Sequence, residues 1–161
     1  MYYSTITMTI FGFVEAKAKE EAVPRDKYQH VQDLRLQSAR RVAKLMSIHR
    51  ASWGIHRAPA SNIQWTTAAQ NTLLEHLDDR DNHEAFVSLC IAARAFARRW
   101  VLAKARLRSI QMTAQWLGIA LPVETHVLFS ETETKWASKD SKSFRSLSPN
   151  FGDVGPSNLS P

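Results

Sequence analysis

Between His83 and Leu117 the apolar residues keep a 3-4 spacing that few folds can absorb. Phe86, Ala93, Trp100, Leu107 and Ala114 recur every seven residues, and Leu89, Phe96, Ala103, Ile110 and Leu117 follow each of them by three. This period places both sets on one stripe of an α-helix and is incompatible with the two-residue alternation of a strand. Neither Gly nor Pro interrupts the 35 residues, so one continuous helix of roughly 50 Å is allowed, as are two. Gly118 and Pro122 mark its end. Further apolar residues on neighbouring faces (Val101, Leu102, Met112, Trp116) predict a broad face buried within a helical array. The positions beside the seam, Arg99, Lys104 and Arg106, include no acid, which argues against parallel self-pairing as a coiled coil.

Two more helical patterns precede this one. In "DLRLQSARRVAKLMSIHRASWG", Ala39, Val42, Ala43, Met46, His49 or Arg50, and Trp53 fall at steps of three and four, with the core starting near Asp33. Gly54 stands where such a helix stops with positive φ, and the basic His49 and Arg50 suit the last turn of its dipole. Pro59 and Asn62 open the next segment, with Ile63, Thr66, Ala69, Leu73 and Leu77 at helical spacing. "DDRDN" (78–82) reads as a turn in which Asp81 or Asn82 caps the following helix. The short connection makes these two helices an antiparallel pair.

The expected fold is therefore all-α, an antiparallel helical array with disordered ends. The chain divides into an N-terminal segment or linker (1–32), a helical domain (33–122) and a Ser-rich disordered tail (123–161). "EAKAKEEAVPRDKYQ" (15–29) is charged and broken by Pro24, so it reads as a linker or a weak helix. The opening "MYYSTITMTIFGFV" carries no Lys or Arg ahead of its apolar run and makes a poor signal peptide. At 14 residues it is also too short to span a bilayer as a helix, so no membrane association is expected.

Chemistry is sparse in this sequence. The single cysteine, Cys90, excludes an internal disulfide and a cysteine-based zinc site, and its apolar neighbours Leu89 and Ile91 point to a buried inert thiol. His76, Asp79 and His83 in "EHLDDRDNHE" are the most enzyme-like set, but the turn at 78–82 divides them between two helices. No HExxH, GxSxG or phosphate-loop pattern occurs, and no catalytic residue, metal or cofactor is expected.

The net charge of +6 arises from 21 basic and 15 acidic residues. Its focus is "RAFARRWVLAKARLR" (94–108), where Arg94, Arg98, Arg99, Lys104, Arg106 and Arg108 form a candidate basic face. The run also matches the loose pattern of a nuclear-import signal. A nucleic-acid-binding or protein-interaction module is the alternative function, and nucleic-acid binding of that kind would weaken steeply with salt. Phe96 and Trp100 sit on the apolar stripe and are expected to point inward rather than stack on bases.

Taken together, "RVAKLMSIHRASWGIHRAPASNIQW", "AAQNTLLEHL", "LCIAARAFARRW" and "SIQMTAQW" resemble the C-terminal part of the regulatory middle homology region of fungal zinc binuclear-cluster transcription factors, most closely the subgroup that includes nitrate-assimilation activators. The shared features are a helix ending in Arg50 and Trp53-Gly54, a basic link with Arg57, a helix of small and apolar residues, and a later helix ending in Trp116. The resemblance covers residues 38–120. It implies a non-catalytic transcription-regulatory segment, a nuclear location, and other transcription-factor chains or coregulators as partners.

The family's DNA-binding module needs six clustered cysteines, so this chain is expected to reach DNA only indirectly, as a truncated form or fragment. Another departure is "VLAKAR" (101–106), which stands where the family tends to place polar residues. Trp53, Phe96, Trp100, Leu107, Ile110 and Trp116 are the candidate partner-packing residues, and oligomers through exposed apolar helix faces are expected.

Overall fold

The computed structural model describes residues 2–20 and 25–136, and among these all regular structure is helical. Six α-helices follow one another: α1 (Tyr2–Glu20), α2 (Arg25–Trp53), α3 (Ser61–Leu74), α4 (Arg80–Ala97), α5 (Val101–Leu117) and α6 (Val123–Trp136), with a 3-10 turn (Ile55–Arg57) between α2 and α3. The array is built around α3 and α4, which pack on each other and on α2. α1 lies against α2 and α3, α5 against α3 and α4, and α6 against α4 and α5.

The expected stripes make the core. Ala39, Val42, Ala43 and Met46 of α2 meet Ile63, Ala69, Leu73 and Leu74 of α3 and Phe86, Leu89, Cys90, Ala93 and Phe96 of α4, all buried. The threonines and the glutamine that enter this interior are satisfied locally, whereas the buried Asn62 Oδ1 has no hydrogen-bond partner. Thr66 and Thr67 donate to the carbonyls of Asn62 and Ile63 at 2.7 and 2.8 Å, and Gln70 Nε2 donates to Cys90 Sγ at 3.3 Å. Burial of hydroxyls and amides without such partners would cost a few kcal/mol each.

Both glycine stops behave as their positions demand. Gly54 has φ 72° and its amide donates to the Arg50 carbonyl at 3.1 Å. Gly118 has φ 67° and ψ 24°, and Ile119 N–H reaches back to the Ala114 carbonyl at 2.9 Å, closing α5 in a left-handed cap.

Several boundaries differ from the sequence reading. The 3-4 repeat, which allows one helix or two, is divided into α4 and α5 at residues 98–100. Folding back there brings Leu107, Ile110 and Ala114 onto the same core as Phe96. The cap of α4 is Asp79 rather than Asp81 or Asn82, its carboxylate accepting the Asn82 amide at 3.0 Å. α2 begins at Arg25, ahead of the expected start near Asp33.

The N-terminal apolar stretch is a helix whose Ser4 and Met8 are buried, and Gly12 lets it approach α2 closely, since a Cβ there would come within 3.3 Å of the Arg35 guanidinium. Residues 123–136, expected without order, form α6, seated by buried Thr125, Leu128 and Phe129. The remainder of the expected tail, 137–161, lies outside the described residues. No described helix is long and apolar enough to cross a membrane.

Candidate interaction surface

The enzyme-like histidines do not converge. His76 Nε2 lies 3.0 Å from Gln32 Nε2 of α2, and its backbone carbonyl accepts from Asn82 Nδ2 at 3.0 Å. Asp79 is occupied by its capping bond and by Arg40, 3.7 Å away, while Arg40 also donates to Asn82 Oδ1 at 3.2 Å. His83 faces the other way, 3.8 Å from Glu124 at the start of α6. Asp33, Arg40, Glu75, His76 and Asp79 line a shallow depression of about 310 Å³. Its groups serve to fasten the α3–α4 turn to α2. Among the described residues no three His, Cys, Asp or Glu side chains gather as metal ligands. Burial pushes the Cys90 thiol up to about 12, with the Gln70 hydrogen bond opposing, so at neutral pH it is a thiol and not a nucleophilic thiolate.

The six candidate packing residues separate into two groups. Phe96, Leu107 and Ile110 are buried in the chain's own core and have no surface to offer. Trp53, Trp100 and Trp116 are 59%, 37% and 86% exposed. The inward orientation expected for Trp100 is therefore corrected. As the N-cap residue of α5 it takes an extended backbone (φ −119°, ψ 120°), which swings it off the stripe, and the Arg99 guanidinium lies 5.3 Å from its ring centroid. Trp53, at the last position of α2, stands 5.4 Å from the His49 ring in a tilted contact.

The broad buried face expected of Val101, Leu102, Met112 and Trp116 is also corrected: all four are exposed. α5 meets its neighbours through Ala103, Leu107, Ile110 and Ala114, and among the described residues nothing covers its opposite side. Val101, Ala105, Arg108, Met112 and Trp116 advance by four, three, four and four residues, so they line one outward face, with Leu102 beside it. Lys104 and Arg108 flank one edge by the same spacing and Arg106 the other, while Arg98 and Arg99 stand at the amino end, both exposed. No acidic residue occurs from Ala85 to Val123. All six basic residues of this stretch are those of the candidate face, and their number equals the net charge of the whole chain, +6.

A second outward apolar face lies on α1, where Tyr3, Ile6, Ile10, Phe13 and Val14 are exposed at helical spacing. Its steps of three and four are present in the sequence, but a stretch that reads as an N-terminal segment or linker gives no sign that it packs as a helix.

No protein-family profile matches the chain, and no solved structure matches it. In an alignment 143 residues long that covers 83% of the chain, it is 35% identical to the notoamide biosynthesis transcriptional activator notL' of Aspergillus versicolor. The matched segment is 23% of that relative, so the chain spans about a quarter of the relative's length. What it resembles is thus one portion of a much longer fungal transcriptional activator.

Proposed function

We propose that this chain is a non-catalytic, transcription-regulatory helical segment of a fungal transcription factor, acting in the nucleus through protein contacts. The observation that carries the reading is the 35% identity to a fungal transcriptional activator over 83% of the chain. The finer reading places the segment in the C-terminal part of a middle homology region. It draws support from the helix order around Gly54. With one cysteine in 161 residues, DNA contact of the zinc-cluster kind has to be supplied by another stretch of protein or another chain.

A tethering experiment tests this. The 161-residue chain is fused to a heterologous DNA-binding domain in a filamentous fungus carrying a matching reporter, and a fluorescent-protein fusion is imaged alongside. Changed reporter output together with nuclear accumulation is the expected result. A fusion that enters the nucleus and leaves the reporter unchanged, or that is held in the cytoplasm, removes the regulatory reading.

A further inference from the structure

The outward face of α5 combines two features that a free surface rarely joins. Val101 and Leu102 near the amino end and Met112 and Trp116 toward the carboxyl end expose apolar side chains on this face, and Lys104, Arg106 and Arg108 stand beside and between them. Isolated exposed apolar side chains are ordinary, but several along one 17-residue helix, set among charges of one sign, have the form of a recognition surface. From these cations and the absence of any acid between Ala85 and Val123, we infer that this face docks an acidic amphipathic helix of a partner protein. Such a helix would lay its i, i+3, i+4, i+7 apolar residues on Met112 and Trp116 and direct its carboxylates toward the arginines. The inference deepens the regulatory reading and rests on it for the biological setting, but not for the geometry.

Charge and shape argue against the other occupants. A second copy laid α5 against α5 would bring two sets of Lys104, Arg106 and Arg108 together, which is repulsive in a partly desolvated contact. Nucleic acid would match the positive charge of this face, yet it has nothing apolar to offer Val101, Leu102 and Met112. Trp100 and Trp116 are also 16 residues apart, about 24 Å along the axis, too far to stack successive bases. An anionic bilayer shares both the charge and the apolar character of the proposed helix and is the rival that the experiment must separate.

The test is calorimetric titration of the full chain with two designed helical peptides. Both carry Leu at the core heptad positions, one with Glu and the other with Lys at the flanking positions. A mixed-sequence single-stranded oligonucleotide and phosphatidylcholine–phosphatidylserine vesicles are titrated in parallel. The Glu peptide is expected to bind and the Lys peptide not, with affinity falling as salt rises. The double variant Met112→Ser/Trp116→Ser should weaken binding about tenfold and Arg106→Glu about threefold, because both act at the contact itself. Val123→Ser, an exposed apolar control on α6, should leave binding unchanged. All these positions are exposed, and circular dichroism verifies that the variants stay folded.

Equal binding of both peptides, or binding indifferent to the α5 variants, overturns the inference. So does tighter capture of the oligonucleotide or the vesicles by the same face. Loss of peptide binding would remove this surface and leave the tethering result standing. A silent reporter beside intact peptide binding would remove the regulatory role and leave the surface.

Discussion

α4 and α5 are written in one unbroken apolar repeat, yet the molecule uses them differently. α4 is apolar on the side it buries, with Phe86, Leu89, Cys90, Ala93 and Phe96 facing the core and Asp79 capping its amino end. α5 buries a leaner set, Ala103, Leu107, Ile110 and Ala114, has no side-chain cap, and carries further apolar side chains toward solvent. α4 has the composition that its place in the fold requires. α5 has more apolar surface than the fold consumes, and that excess is what distinguishes a helix that also binds from one that only supports.

The comparison can be broken most directly at Phe96, the last large buried side chain before the break. Phe96→Ala should cost about 3–5 kcal/mol, since it removes a fully enclosed ring between the two helices. A loss below about 1 kcal/mol in chemical denaturation would mean that α4 does not anchor α5. A smaller effect is expected at the cap: Asp79→Ala should lower stability by about 1 kcal/mol through the lost bond to the Asn82 amide, plus little from Arg40, which is partly exposed. An unchanged denaturation midpoint would show that α4 needs no cap. Smallest of all, Trp116→Ala should shift stability by no more than about 0.5 kcal/mol, because the ring is 86% exposed. A loss approaching that of Phe96→Ala would place Trp116 in the core and erase the difference between the two helices.

Much of this architecture was legible in the residue pattern, and the failures share one cause. Spacing identified the stripes of α2, α3, α4 and α5, and Gly54 and Gly118 as their stops, because helical period and positive φ are properties of the local chain. The break at 98–100 was not legible, since Arg98, Arg99 and Trp100 permit a helix and only the burial gained by folding back selects against it. The same holds for the candidate surface. Period shows which residues share a face, but α5 has two apolar faces, and nothing local says which one the core takes. Phe96, Leu107 and Ile110 were grouped with Trp53, Trp100 and Trp116 for that reason, and only the packing separates them. α6 went unseen because Thr125, Leu128 and Phe129 are few among polar neighbours, yet they suffice once α4 and α5 supply a surface.

The placement of the indoles also has an optical consequence. Among the four tryptophans whose side chains are described, Trp53, Trp100 and Trp116 face water to differing degrees and Trp65 is half-buried, while the largest enclosed rings there are the phenylalanines Phe86 and Phe96. Intrinsic emission from the native protein should therefore already lie toward the long-wavelength, solvated end of the indole range. Unfolding would move it only slightly, so a spectroscopist following the emission maximum would see a nearly silent transition. The far-ultraviolet helical signal would collapse over the same interval.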